Sequence, residues 1–214
     1  MNLDKYELVV FDVDGTLYYQ KKLRMIMAGR LMGYYICHPH KIRDLLIIKD
    51  FRNLRDRAED VTGLYELTAR KNKCSIQRVE SVIKKWIYEN PMDAVARSKD
   101  ERLLDMISGL GKSGKTIAVW SDYEADDKLK ALGLECAHVY TAEQERVGEL
   151  KPSPKGLKLI MSDLSIEKEK TLMIGDRQIK DGEAAKSAGV DYLILSSKKR
   201  ARNRQLDTLY FDIK

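Results

Sequence analysis

Short apolar runs of three to five residues recur near the start of the chain and again through its second half, all but one closed by Gly, Asp or Ser. They lie at residues 8–11, 116–120, 138–140, 171–174 and 192–195. Their β-branched and aromatic content predicts strands buried on both faces. Between the later runs the apolar positions shift to helical spacing, over residues 100–110, 124–132, 153–163 and 181–188, with Gly111, Gly133 and Gly189 at the predicted helix ends. This alternation predicts an α/β fold, a doubly wound parallel sheet with helices on both faces.

Residues 18–97 break that rhythm. They contain no clear strand run, and apolar residues recur at helical spacing, as in Leu45, Ile48, Phe51 and Leu54, or Val79, Val82, Ile83, Trp86 and Ile87. Ser75 stands where an N-cap belongs, and His38-Pro39-His40 and Asn90-Pro91 read as breaks. The expected organisation is a core of residues 1–17 and 98–214, interrupted by an inserted all-helical cap of residues 18–97.

Charge follows the same division. The chain carries a net charge of +6, and the stretch from Tyr18 to Lys99 holds 18 Lys and Arg against 9 Asp and Glu, so the insertion is basic and the frame slightly acidic. An anionic ligand suits that asymmetry, as does a solvated basic helix surface. The run Lys198-Lys199-Arg200-Ala201-Arg202-Asn203-Arg204 reads as a solvated loop, with a nucleic-acid contact the less favoured reading. Cys37, Cys74 and Cys136 lack the paired spacing of zinc or redox sites, and no apolar run approaches the ~18 residues of a membrane span. A cytoplasmic protein with reduced thiols and no membrane partner is expected.

Chemistry gathers at the predicted strand ends. Asp12-Val13-Asp14-Gly15-Thr16 follows the first run, and alternate residues of an extended chain share a face, so Asp12 and Asp14 are expected over one small volume. Their repulsion calls for a cation or a shared proton. Ser121-Asp122 offers a hydroxyl and turn amides for phosphate oxygens, Lys151-Pro152-Ser153-Pro154 puts an ammonium at a helix entrance, and Gly175-Asp176 with Asp181 adds two more carboxylates.

An aspartate pair, a serine, a lysine and a GDxxxxD segment in this order resemble the haloacid dehalogenase superfamily, most of whose members are phosphatases. The resemblance spans nearly the whole chain and implies a Rossmann-like core with a helical cap of the first type. It makes Asp12 the nucleophile and Asp14 the general acid and then base. It gives Ser121 and Asp122 to substrate phosphoryl binding and Lys151 to charge neutralisation. It places Mg²⁺ on Asp12, the backbone carbonyl of Asp14, and Asp176, with Asp181 as outer support for a metal-bound water or for Lys151.

The implied activity is Mg²⁺-dependent hydrolysis of a small phosphorylated metabolite through an aspartyl-phosphate. Sugar phosphomutase and phosphonatase chemistry are the alternatives within the superfamily. A non-catalytic regulator or nucleic-acid-binding protein using the basic segments is the alternative outside it. Asp14 argues against dehalogenation, whose enzymes do not keep the second aspartate. His38 and His40 are expected at a helix turn or facing substrate rather than on a metal. The cluster Tyr18, Tyr19, Tyr34 and Tyr35 is expected to pack, and only some of Arg52, Arg55 and Arg57 can face the site to hold a distal anion.

Overall fold

The computed structural model describes residues 1–209. Five strands, β1 (Leu8–Phe11), β2 (Thr116–Ser121), β3 (His138–Thr141), β4 (Thr171–Gly175) and β5 (Asp191–Ile194), form one all-parallel sheet in the order β3-β2-β1-β4-β5. Every predicted run is therefore a strand, displaced by at most a residue or so. The chain winds outward from β1 to β3, crosses, and winds outward again from β4, so ligand binding is expected at the carboxyl end of central β1.

Alternation within β1 shows why both faces are apolar. Val9 and Phe11 join one buried cluster with Leu103, Ile107, Leu129 and Leu206, while Leu8 and Val10 join another with Trp120, Leu157, Ile160 and Ala185.

Helices α1 (Gln20–Cys37), α2 (Asp44–Arg57), α3 (Leu64–Asn72), α4 (Ile76–Ile83) and α5 (Met92–Ser98) make the helical cap, with a π-turn over Lys84–Glu89 between the last two. They gather their own core around Phe51, Leu64, Val79, Ile83 and Trp86. The Ser75 hydroxyl accepts from the amide of Arg78 at 3.2 Å, so the predicted N-cap forms. Two crossings join the cap to the sheet layer. Tyr18 and Lys99 form an antiparallel bridge, Tyr19 N donates to Ser98 O at 2.8 Å, and Asp100 N donates to Leu17 O at 3.0 Å.

The sheet is flanked by α6 (Glu101–Lys112), α7 (Asp126–Leu132), α8 (Lys155–Leu164), α9 (Glu183–Ala188) and α10 (Lys199–Asp207). Two expectations need correction. Helix α6 runs through Gly111, and the turn falls at Gly114, whose φ of +86° lets the chain reverse. The basic run 198–204 is not a solvated loop: most of it lies in α10, with Arg202 and Leu206 buried. Its remaining Lys and Arg side chains are exposed, and that periodicity hid beneath the charge. Among the described residues no helix is long and apolar enough to cross a membrane.

Candidate active site

Asp12 stands one residue beyond β1, and its amide still donates to Ile174 O on β4 at 2.9 Å, so strand pairing sets its position. The chain then turns at once: the amides of Thr16 and Leu17 both donate to Val13 O. Gly15 sits at a φ of +99°, and a Cβ there would lie 2.2 Å from Asp176 Oδ2. Only glycine lets this turn pass so close to the end of β4. The hydroxyl of Thr16 donates to Asp12 Oδ2 at 2.8 Å.

Lys151 is 1% exposed, and its ammonium donates to Asp12 Oδ1 at 2.6 Å, Asp181 Oδ1 at 2.7 Å and Trp120 O at 3.2 Å. These three acceptors match its three protons. Burial opposes the charge, but Asp12 and Asp181 outweigh it and hold the ammonium above its ordinary pKa. The backbone of Lys151 is pinned as well, its amide on Asp122 Oδ1 at 2.9 Å and its carbonyl on Lys180 Nζ at 2.6 Å. Asp181 Oδ2 accepts from the amides of Asp176 and Arg177 at 3.2 and 3.0 Å.

Oxygens of Asp12, Asp176 and Asp181 all lie within 4.8 Å of one another. Burial, with Asp181 and Asp176 beside it, pushes the Asp12 carboxyl well above the usual range despite Lys151. Burial and then Asp181 push Asp176 up to about 6. Asp176 Oδ1 is buried and accepts no hydrogen bond among the described residues. Three carboxylates against one ammonium, with one oxygen left unpartnered, fit a hard divalent cation such as Mg²⁺.

The sign of the pH dependence follows. An acid whose folded pKa is raised binds its proton more tightly folded than unfolded, so its stabilising contribution is lost as pH rises from about 4 through about 6. A cation competes with that proton. We predict that Mg²⁺ raises the melting temperature of chelator-stripped protein several-fold more at pH 7.5 than at pH 5, measured by thermal denaturation at about 10 mM Mg²⁺.

Asp12 and Asp14 each have an ammonium of their own, Lys151 for the first and Lys128 for the second. Lys128 on α7, 5% exposed, donates to both oxygens of Asp14 at 2.8 and 2.7 Å, and the Tyr18 hydroxyl donates to Oδ1. Burial pushes the Asp14 carboxyl up, but Lys128 and then Tyr18 bring it below its ordinary value. Tyr18 is buried as expected of a packing residue, yet its hydroxyl faces the site.

The model of the haloacid dehalogenase-like hydrolases matches residues 6–189. The chain belongs to this family. No curated protein matches it. Among solved structures it is similar to a 2-haloacid dehalogenase from Pseudomonas syringae pv. tomato at 16% identity and a TM-score of 0.62, over 89% of this chain and 86% of that one. It is similar to a predicted phosphoglycolate phosphatase from Haemophilus somnus at 16% identity and a TM-score of 0.61, over 98% and 95%. A HAD hydrolase from Bacillus subtilis bound to magnesium matches at 16% identity and 0.61, over 89% and 88%. At these identities the structures support the fold alone.

Within this hydrolase the remaining predicted residues fall as follows. Ser121 closes β2 with its hydroxyl buried, accepting from Tyr123 N at 3.2 Å. The Asp122 side chain is turned to the Lys151 backbone, its Oδ1 accepting from the Lys151 amide. Asp181 touches Lys151 and also joins the carboxylate cluster.

Arg55 is 3% exposed and is committed to the cap–core contact: it donates to Asp122 O and, at 2.6 Å, to Glu143 Oε1, and it lies over the Tyr123 ring. Arg52 and Arg57 are exposed. The His38 ring meets Tyr34 O at 2.9 Å and stacks on the Tyr34 ring, a helix-end role. All three cysteines are free.

Sequence reading missed Lys128, Lys180, Glu143 and Arg202. For Lys128 a signal existed, since it shares the buried face of α7 with Ala125, Leu129 and Leu132. A lysine at a core-facing position needs a buried partner.

Proposed function

We propose that this hydrolase is a Mg²⁺-dependent phosphatase acting on a small phosphate monoester, with residues 18–97 as a cap that excludes water. The observation that carries the reading is the buried Lys151 ammonium between Asp12 and Asp181, at strand ends where Asp176 completes a carboxylate cluster. A phosphate monoester is anionic, so a carboxylate attacks it only where positive charge offsets the repulsion. Mg²⁺ held by Asp12 and Asp176, with the Asp14 carbonyl, would supply Lewis-acid charge stabilisation.

The residues divide the work. Asp12 forms the bond to phosphorus as the ester P–O bond breaks, and the leaving oxygen takes a proton from Asp14. Water then attacks phosphorus, gives its proton to Asp14, and frees the Asp12 carboxylate as phosphate departs. Lys128 holds Asp14 ionised, the form the second step uses; an arriving phosphoryl dianion offsets Lys128 and favours the protonated form for the first. Lys151 offsets charge on Asp12 and the transferring group, and the Ser121 hydroxyl with the following backbone amides holds phosphoryl oxygens.

Arg52, an exposed cap arginine whose charge bears on both Tyr18 and Tyr123, is the cap guanidinium proposed to meet a second anionic group on the substrate. Purified protein with Mg²⁺ is expected to release phosphate from an aryl phosphate, to lose at least about 10²-fold in rate with chelator, and to regain it with added Mg²⁺. Equal phosphate release with and without chelator would overturn the metal role; a metabolite-phosphate panel then selects the substrate.

A further inference from the structure

Arg202, from the basic run that the proposed chemistry leaves unused, is 1% exposed, and each of its guanidinium nitrogens is engaged. Nε donates to Ser196 O at 2.8 Å, Nη1 to Thr16 O at 2.9 Å and Asp100 Oδ2 at 3.3 Å, and Nη2 to Gly15 O at 2.7 Å. The guanidinium also stands 5.1 Å from the centre of the Tyr19 ring. These partners share a location. Gly15 and Thr16 close the loop that begins at Asp12, Tyr19 opens the outgoing crossing to the cap, and Asp100 ends the return crossing.

The need for this side chain is physical. The tight turn after Asp12 leaves the carbonyls of two consecutive residues pointing into the protein, where an unpaired acceptor is costly. A planar fork of fixed donors reaches both carbonyls and a carboxylate at once; a lysine ammonium cannot span them from one position. Gly15 is held from behind by Arg202 while its front lies against Asp176, where even a Cβ would not fit. A shift of the Gly15 carbonyl is therefore a shift at Asp176.

We infer that Arg202 is a positioning residue, tying the nucleophile loop, and through Gly15 the Asp176 carboxylate, to both chain crossings that join the cap to the core. Its bearing on metal binding rests on the phosphatase reading; its bearing on the crossings does not. Helix α10 has other anchors, with Gln205 bonded to Ser196 N and Ile194 O at 2.8 Å and Leu206 buried, so the helix stays docked without the guanidinium.

The test compares R202M and R202K with two controls in the same helix, the packing variant L206A and the exposed-charge variant R204A. Amide hydrogen exchange is read at Tyr19 and Asp100, relative to β1 amides, and Mg²⁺ binding by calorimetry on stripped protein. Turnover of an aryl phosphate at saturating Mg²⁺ gives kcat and KM. R202M is expected to speed exchange at both crossing amides by at least about 10-fold, to weaken Mg²⁺ binding by a similar factor, and to lower kcat more than it raises KM. R202K, which keeps the charge and loses the fork, is expected to recover part of the Mg²⁺ affinity and little of the exchange protection.

L206A lowers the melting temperature and leaves both readouts within about twofold of wild type, as does R204A. Unchanged exchange and Mg²⁺ binding in R202M, or equal losses in L206A, would overturn the inference; if R202M does not fold, R202K is judged by the same criteria. A wild type that neither binds Mg²⁺ nor releases phosphate sinks the phosphatase reading instead, and the exchange data alone then decide the role of Arg202.

Discussion

Asp12→Asn is expected to abolish phosphate release, by at least about 10³-fold in kcat, while the protein stays folded. An amide offers no nucleophilic carboxylate, and its neighbours have other work: Asp181 is occupied by Lys151 and two backbone amides, Asp14 by Lys128 and Tyr18, and Asp176 is assigned to the proposed metal site. Folding survives because Lys151 keeps Asp181 as a counter-ion and the substitution removes one of three crowded carboxylates. The metal-free variant is therefore expected to melt no lower than wild type near pH 7, since the raised Asp12 pKa marks a charge the folded state disfavours. Activity and melting curves on one preparation decide it, and turnover retained within tenfold would place the nucleophile elsewhere.

Lys151→Met is expected to remove activity to a similar extent and, unlike the first variant, to destabilise the fold. It strips the ammonium from two buried carboxylates, leaving Asp12, Asp176 and Asp181 with no cation between them. Breaking a buried pair in this way costs about 3–5 kcal/mol. The sign of the pH effect separates this from a packing loss. Without Lys151 the folded carboxylates bind protons more tightly than unfolded ones, so stability falls as pH rises above about 4.

The gap from wild type should be large at pH 7.5 and shrink toward pH 4.5, as followed by urea denaturation of stripped protein. Saturating Mg²⁺ is expected to narrow it at pH 7.5 without restoring turnover. A gap independent of pH would mean that Lys151 acts as a packed side chain and not as the counter-charge of the cluster.

The local pattern of the chain determined the strands, the cap insertion and the four motifs. Those features are written in contiguous residues: an apolar run buried on both faces, a helix cap at Ser75, carboxylates just past a strand. Strand pairing then carries such residues to one end of the sheet, which is why Asp12, Lys151, Asp176 and Asp181 are legible in the sequence. Folding alone decided which charge meets which. Lys128 lies 114 positions from Asp14, and Arg202 lies 187 from Gly15; helical spacing marks Lys128 as core-facing, but nothing local names the partner of either.

The basic run 198–204 shows the same limit. Its composition describes a soluble surface, which is true of Lys199 and Arg200, while one helix face turns Arg202 and Leu206 inward. Periodicity of charge cannot reveal this, because burying a guanidinium depends on distant carbonyls that have lost their own water. A buried ion pair is a property of two chain segments brought together, and only the tertiary structure brings them.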